Sequence, residues 1–283
     1  MPLAIKWPRI SLMTAIFDGR ELASEKLKEV AKEVKELKKS GVTPKLVSIF
    51  VGDDPASKLY LGLKKKRAED VGAQVEVVKL EKDIKTEKLK EVIRQLNKNE
   101  KVHGIMVQLP LPKLFTKSDR AGIINSISYQ KDVDGLGENS LFITPVVKAV
   151  LVAVKEGTNY ITRPALKVVV IGASGFEGGK IARSLKEMGY EVGEIASDTK
   201  NLEPLAREAD ILISVTGVPG LIGEGVVKDG AIVIDVGSPK GDVKTQEVQQ
   251  KAAFISPVPG GIGPVTIACL LENLVLAAGS IAK

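Results

Sequence analysis

The sequence predicts an α/β protein built from two domains with largely parallel sheets. Helical spacings of apolar residues alternate with short apolar runs along almost the whole chain, which is typical of parallel strands joined by helical crossovers. The 283 residues exceed the usual size of one domain, and the alternation starts afresh after Asp134-Gly135. Hydrophobic residues make up 44% of the chain and charged residues 27%, a balance that can bury a substantial core.

The first half of the chain is expected to hold one small β-α-β array. Asp54 fits an N-cap and Pro55 the first helical position, so a helix is expected from there to about Val71. The other elements predicted from apolar spacing and apolar runs are a helix over 27–37 that Gly41 ends, strands over 46–51, 75–80 and 104–109, and a helix over 89–96.

The second half repeats the alternation. A buried strand over 167–171 runs directly into the glycine-rich segment Gly172–Gly178, and a helix is expected from about Gly179 to Met188. The remaining predicted elements are a connecting helix over 146–154, strands over 191–196, 210–215 and 231–236, and a long apolar helix over 265–281.

The rare residue types exclude several kinds of site. Because Cys269 is the one cysteine, an intrachain disulfide, a CxxC redox pair and a cysteine-rich zinc site are excluded. The single histidine, His103, excludes a multi-histidine metal centre and is expected to be structural or at the surface. We therefore expect no metal site, and acid–base chemistry falls mainly to Lys, Tyr, Asp or Glu.

Charge and hydropathy restrict the kinds of partner and the cellular location expected for the protein. The net charge of +6 suits a small anionic substrate at least as well as nucleic acid, and aromatic residues, at 4%, are too few for a base-stacking surface. We see no apolar run close to the ~20 residues that cross a bilayer and no signal-peptide cleavage pattern in Met1–Leu12, so a cytoplasmic protein is expected. The sequence leaves open whether Met1 or Met13 is the natural start.

Ser57, Tyr60 and Lys64 are the first candidate site residues. Their offsets of three and four place them on one face of a helix that begins at the carboxyl end of a strand, where open α/β sheets bind ligands. A tyrosine one turn before a lysine supplies a ring for stacking and an amine that burial can turn into a base. The alternative, favoured by the cations at 65–67, is a solvated helix face.

Two more polar residues follow buried segments. Gln108 ends a strand just before Pro110, and its amide can orient a lysine without fixing the charge of the amine, or it can simply cap backbone groups. Asp134 precedes Gly135, so its carboxylate can approach a ligand closely and accept two parallel N–H donors. Asp134 can equally cap a turn or bind a cation.

Glycines between a strand and a helix predict a phosphate cradle, because backbone N–H groups and the helix dipole meet there. The cradle candidates are Gly172, Ala173, Ser174 and Gly178. Thr216 and Gly217 end the strand over 210–215, where a nicotinamide or adenine ribose rests in such folds. The spacing is not a strict GxGxxG, so a Rossmann-like domain without a cofactor is the alternative.

Taken together, the segments resemble the bifunctional methylenetetrahydrofolate dehydrogenase/cyclohydrolase family (FolD type). The matching stretches, which cover nearly the whole chain in family order, are DGRELA, VGDDPASKLYLGLKKKRAEDVG, VHGIMVQLPLP, KDVDG, ADILISVTGVP, VKDGAIVIDVG and SPVPGGIGPVTIA. The resemblance implies oxidation of methylenetetrahydrofolate by a nicotinamide dinucleotide and hydrolysis of the methenyl product to formyltetrahydrofolate. It also implies a cytoplasmic homodimer with a folate substrate and no nucleic-acid or membrane partner.

The resemblance also implies roles for individual residues. Lys64 matches the family's catalytic lysine, Tyr60 the partner that stacks on the folate, and Gln108 the residue that positions Lys64. Asp134 matches the anchor of the pterin edge, with Ser57 nearby. All four of Lys64, Tyr60, Gln108 and Asp134 are therefore expected in the catalytic machinery.

The loop from Pro257 to Thr266 is rich in proline and glycine, and such a rigid loop with free backbone amides is more typical of function than of a connector. By resemblance, Pro259, Gly260 and Gly261 make folate contacts. The implied domains are a catalytic folate domain over 1–142, completed by the C-terminal helix over 265–283, and a Rossmann-type NAD(P)-binding domain over 143–264.

The chain departs from the family pattern mainly on the cofactor side. Ala173 stands where an arginine usually helps to hold the 2′-phosphate of NADP, and Ser197-Asp198 stands in a segment that usually reads His-Ser-x-Thr. A carboxylate at Asp198 favours a free ribose hydroxyl over a phosphate, so NADP is implied by resemblance and NAD stays open. Glu177 is unfavourable for a pyrophosphate unless it points away.

Two shortened segments add to these departures, namely Thr144–Val147 before the connecting helix and Ser238–Lys240 after the last predicted strand. These departures concern the dehydrogenase more than the cyclohydrolase. Two other functions therefore stay open beside the bifunctional enzyme. One is a cyclohydrolase whose dinucleotide site has decayed, and the other is a non-catalytic Rossmann-type binding protein.

Overall fold

The computed structural model describes residues 14–162 and 166–281, so the predictions about Met1–Leu12 and the choice between Met1 and Met13 lie outside the described residues. The strands are β1 (Ala15–Ile16), β2 (Lys45–Val51), β3 (Gln74–Leu80), β4 (Gly104–Val107), β5 (Lys167–Ile171), β6 (Glu191–Ile195), β7 (Ile211–Ser214), β8 (Ile232–Asp235) and β9 (Phe254–Ser256). The helices are α1 (Gly19–Lys39), α2 (Pro55–Asp70), α3 (Thr86–Lys98), α4 (Lys117–Ile124), α5 (Pro145–Gly157), α6 (Phe176–Glu187), α7 (Leu202–Arg207), α8 (Thr245–Val248) and α9 (Ile262–Ile281).

The first domain is built on a parallel sheet with the order β3-β2-β4. The central strand β2 is buried from Leu46 to Val51, because helices cover both faces of the sheet. Ile49 of β2 pairs with Val107 of β4, so both strands end at the same edge. This register brings the start of α2 and the residue after β4 side by side.

The second domain is built on a parallel sheet with the order β1-β9-β8-β7-β5-β6. The chain leaves β5 for β6 on one side and then returns to β7 on the other, so the topological switch point lies at the carboxyl end of β5. The first strand comes from the other end of the chain, since Ala15 of β1 pairs with Phe254 of β9.

The long apolar helix α9 joins the two domains. It packs against α1, α2 and α5, and Asn273 on it donates hydrogen bonds to the backbone oxygens of Val133 (2.8 Å) and Ile143 (3.1 Å). By length and composition α9 would also suffice to cross a bilayer, so the expectation that no such run exists is wrong. About two thirds of its most apolar part is buried in the fold, as in the core helix of a globular protein.

The predicted fold class is confirmed, and the differences are local. The helix predicted from Gly179 begins at Phe176. Gly172, with a φ of +92°, lets the chain turn tightly, so few residues are needed between β5 and α6. The strand predicted to Leu109 ends at Val107, since Pro110 has no N–H to extend the ladder. The short strands β1 and β9 and the short helices α4, α7 and α8 were not predicted.

Candidate active site

The cleft between the two domains is a cavity of about 350 Å³. One wall is α2, which begins directly after β2 because Asp54 caps it by accepting a hydrogen bond from the Ser57 backbone N–H at 2.7 Å. Ser57, Tyr60 and Lys64 line the cleft from this helix, while the cations at 65–67 are exposed. The structure therefore separates Lys64 from the solvated part of the lysine-rich face.

Lys64 is buried, and its hydrogen-bond partners are neutral. Lys64 is 7% exposed, and its Nζ donates a hydrogen bond to Oε1 of Gln108 at 3.1 Å. Met106 Sδ is 3.8 Å from Nζ, and the centroid of the Tyr60 ring is 5.6 Å away. Burial lowers the pKa of Lys64, and the charges of the Asp134 and Glu177 carboxyl groups only partly offset that effect.

The Gln108 amide is fixed at both ends. Its Nε2 donates to the backbone oxygen of Leu109 at 2.7 Å, which leaves Oε1 to accept from Lys64. The amide thus both caps the strand end and orients the amine, so the two roles that the sequence offered as alternatives for Gln108 are compatible. Because an amide carries no charge, it orients Lys64 without stabilising the protonated form as a carboxylate would.

Two carboxyl groups face the same amine. Burial raises the pKa of Asp134, Lys64 opposes this effect, and the nearby charge of Asp132 adds to it. Glu177, from the first turn of α6, has its pKa raised to about 7, mainly by burial and then by Asp134. Its Oε2 accepts a hydrogen bond from Thr144 Oγ1 at 3.0 Å. Glu177 therefore lines the same part of the cleft as Lys64 and Asp134.

Tyr60 reaches across the cleft. Its hydroxyl group shares a hydrogen bond with the Ser238 side chain, and burial raises the pKa of the phenol. At Gly263, in the first turn of α9, a Cβ atom would stand 2.9 Å from that hydroxyl oxygen. Ser238 and Gly263 both line the cleft, so Tyr60 connects the first domain to two segments of the opposite wall.

The loop residues predicted to contact folate lie beside the cavity. Pro259 is exposed, Gly260 has a φ of +111° and adjoins the Arg20 side chain, and Gly261 packs closely against Gly19. Among the described residues, the cavity is lined not by these three but by the residues that follow them in the chain, from Ile262 on. The structure thus brings Lys64, Tyr60, Gln108, Asp134 and Ser57 together and leaves Pro259, Gly260 and Gly261 at the margin.

The predicted phosphate cradle is a tightly packed turn in the structure. A Cβ at Gly172 would lie 2.6 Å from the backbone oxygen of Val215, and one at Gly178 would lie 2.1 Å from that of Gly172. These glycines hold the turn tight against the sheet, and Ser174 is exposed just before α6 begins. The N–H groups at the start of α6 can therefore meet an anionic ligand, and Ala173 lies buried behind them.

The neighbouring strand ends complete the cofactor side. Ser197 and Asp198 follow β6 and are exposed, and β6 is paired with β5 up to Ile195. After β7, the backbone N–H and Oγ1 of Thr216 both donate to Oδ2 of Asp242, at 2.7 and 2.8 Å, before Gly217. Both loops adjoin the predicted cradle, since the backbone N–H of Gly172 donates to Ile195 and that of Val215 donates to Ile171.

Sequence reasoning missed the side chains that hold the opposite wall in place. Asp235, at the end of β8, is fully buried and accepts from the N–H groups of Gly237 (2.8 Å), Asp242 (3.0 Å) and Val243 (3.0 Å). It thereby shapes the loop that carries Ser238. The signal was present, because a carboxylate directly after a buried strand needs hydrogen-bond donors.

Comparison with known proteins decides the family. The family model for the tetrahydrofolate dehydrogenase/cyclohydrolase catalytic domain matches residues 17–134 of the sequence. The family model for the NAD(P)-binding domain matches residues 145–281. The chain belongs to the tetrahydrofolate dehydrogenase/cyclohydrolase family. It is 40% identical to the bifunctional protein FolD of Brevibacillus brevis over 289 residues, covering 96% of this chain and 100% of that protein.

Solved structures of this family have the same architecture. The bifunctional FolD enzyme of Campylobacter jejuni has a TM-score of 0.85 and 36% identity, over 94% of this chain and 99% of that one. The Trypanosoma brucei dehydrogenase-cyclohydrolase, solved with NADP and an inhibitor, has a TM-score of 0.84 and 31% identity, over 94% and 98%. The resemblance found in the sequence is confirmed, and with it a bifunctional enzyme of one-carbon folate metabolism with an NAD(P)-binding domain.

Proposed function

We propose that the single cleft carries out both reactions of the family and that Lys64 is its proton-transfer group. The observation that carries this proposal is a buried amine, held 3.1 Å from a neutral amide, whose pKa is lowered by burial. An amine that is not permanently protonated can take up and return a proton next to a cationic substrate. His103 is no substitute, because it is buried elsewhere and accepts a hydrogen bond from the backbone N–H of Lys45 at 3.1 Å.

In the hydrolysis, water adds to the methenyl carbon of the substrate. The neutral Lys64 amine takes the proton that the water loses, and it can return a proton to the ring nitrogen as the C–N bond breaks. The reaction therefore consumes one water molecule and one cation, and it gives neutral formyltetrahydrofolate and one proton. Gln108 keeps the Lys64 lone pair aimed into the cleft through both transfers.

For the oxidation, a nicotinamide dinucleotide would be held by the loops around β5 and β6 and would supply the acceptor for the hydride of the bridging methylene. Lys64 assists by staying uncharged beside the carbon that becomes cationic, since a permanent ammonium group would oppose that charge. Tyr60 offers its ring for stacking on the folate, and Asp134 offers an acceptor for the N–H donors of the pterin. Ser57 lies next to these groups.

The cofactor is proposed from the loops around β5 and β6. The Trypanosoma brucei relative was solved with NADP, which supports NADP as a cofactor. Ala173 supplies no cation for a 2′-phosphate, and Asp198 places a carboxylate near the predicted ribose site, so both favour use of NAD as well. That the protein acts as a cytoplasmic homodimer is supported by the family resemblance alone.

Two assays of the purified protein test the function. Oxidation of methylenetetrahydrofolate is followed by absorbance with NAD and with NADP, and hydrolysis of methenyltetrahydrofolate is followed without cofactor. We expect both reactions to proceed. Hydrolysis without oxidation by either dinucleotide would leave a cyclohydrolase with a decayed cofactor site, and affinity for the dinucleotide without either turnover would leave a binding protein.

A further inference from the structure

The cleft holds a carboxyl group that none of the roles above uses. Glu177 belongs to α6, the helix whose start forms the phosphate cradle, yet its side chain lines the folate side of the cavity. Thr144, which is 3% exposed, anchors one carboxyl oxygen by a hydrogen bond of 3.0 Å. The same hydroxyl accepts from the Val147 backbone N–H at 3.1 Å, so the anchor is itself fixed at the N-cap of α5.

We propose that Glu177 is a positioning residue that sets the charge of Lys64, by forming with Lys64 and Asp134 a cluster of three titratable groups around the reacting carbon. The proposal rests on the proposed function, since it concerns the same amine. The side-chain placement carries it, because Thr144 anchors the carboxyl group of Glu177 on the wall opposite α2, where it lines the same cavity as the Lys64 amine.

The charges that face Glu177 come from each neighbouring element. Asp134 lies opposite and raises the pKa of Glu177, whereas Lys64 on α2 and Lys180 on α6 lower it. Asp132 acts on Asp134 from the same loop. In return, ionised Glu177 and ionised Asp134 both raise the pKa of Lys64 against the effect of burial. The charges of Lys64 and Glu177 are therefore coupled, since each acts on the pKa of the other.

This coupling has a consequence for the chemistry. When Glu177 is ionised and Lys64 takes the proton that water loses, the carboxylate and the new ammonium group form an ion pair. The carboxylate then balances the charge of Lys64 until the amine gives its proton to the ring nitrogen. The carboxylate also opposes the accumulation of positive charge when the methenyl cation forms beside the amine.

Substitution of Glu177 by glutamine tests the proposal, since glutamine keeps the shape and can still accept from Thr144 but cannot ionise. With less negative charge nearby, Lys64 loses its proton at lower pH. In E177Q we expect the acidic limb of kcat/KM for hydrolysis to move down by about one pH unit. The control is E187Q, which removes the same charge from an exposed position on the same helix and should leave the limb in place.

A direct titration separates this proposal from the proposed function. The Lys64 side-chain signal in 13C-lysine NMR, assigned by its loss in K64M, should titrate about one unit lower in E177Q than in the wild type. This measurement needs no turnover, so an inactive wild type would contradict the proposed function alone. If E177Q is inactive at every pH, the NMR titration decides. A Lys64 titration that is the same in E177Q and the wild type would overturn the proposal.

Discussion

The two sides of the cleft use different parts of the chain. On the proposed folate side, the site is made of side chains, since Lys64, Gln108 and Asp134 come from α2 and from the segments around β4 to line one cavity. On the proposed dinucleotide side, the site is made of backbone, and Gly172 and Gly178 hold the turn at the start of α6 against the sheet. Glu177 belongs to the dinucleotide side by sequence and to the folate side by orientation.

This difference determines how each side can fail. A buried side-chain cluster depends on the chemical identity of each group, because its neighbours set the pKa values on which proton transfer depends. A backbone cradle depends on space and on the backbone conformation that Gly172 permits, so it tolerates a side chain only where the turn stays intact. Side-chain substitutions on the folate side should therefore slow or alter the chemistry, and added atoms on the other side should weaken binding of the dinucleotide.

The largest effect is expected for Lys64→Met on the folate side. Methionine fills similar space but has no amine, so hydrolysis should fall by about 10²–10⁴-fold, which is the usual contribution of a positioned acid–base group. Steady-state hydrolysis of methenyltetrahydrofolate measures this. The matched control is Lys65→Met, one residue along α2, where the lysine is exposed. Hydrolysis by the Lys64 variant at the rate of the control would contradict the assignment.

A smaller effect, confined to the other side, is expected for Gly178→Ala. The added Cβ would lie 2.1 Å from the backbone oxygen of Gly172, so the cradle must open. Overpacking of this kind costs about 1–3 kcal/mol, and we expect dinucleotide affinity to fall roughly tenfold or more while hydrolysis continues. Calorimetric titration with NAD and NADP, beside the hydrolysis assay, measures both.

Gly62→Ala is the control for that substitution. Gly62 lies on α2, and a Cβ there meets nothing within 4 Å. Both activities and both affinities should stay as in the wild type. Loss of hydrolysis in the Gly178 variant together with loss of dinucleotide binding would show that the two sides of the cleft are not separable.

The folate side could be predicted from sequence because local rules position most of it. Asp54 and Pro55 determine where α2 begins, and helical spacing then places Tyr60 and Lys64 on one face. Parallel strands end at one edge, so Gln108 after β4 had to lie near that face. Few non-local contacts were needed, and the predicted pairing of Lys64 with Gln108 appears at 3.1 Å.

The rest depended on contacts between distant segments. The two-residue strand β1 exists only because β9, more than 230 residues later, offers an edge, so no local pattern marks it. The sequence placed Glu177 in the predicted phosphate loop. In the structure its side chain instead lines the cavity, where it accepts a hydrogen bond from Thr144. The short helix α4 could have been found, since Thr116 and Asp119 form a capping box at its start.

The smallest effect is expected for Asp198→Ser, which tests whether side chains on the dinucleotide side influence the preference for NAD or NADP. Asp198 is exposed after β6, so its repulsion of a 2′-phosphate is screened by water, and a charge of this kind is worth only about 0.2–1 kcal/mol. Asp198→Ser should therefore raise kcat/KM for NADP relative to NAD by roughly two- to fivefold, with hydrolysis unaffected.

The ratio of the two kcat/KM values, measured at low and at high salt, checks this expectation. Because salt screens exposed charges, the gain in Asp198→Ser should shrink as ionic strength rises. Asp229→Ser removes an equal charge from another exposed loop of the same domain and should leave the ratio unchanged. A ratio that is unchanged in Asp198→Ser would place the ribose elsewhere, and the cofactor side would then select its ligand by the shape of its backbone alone.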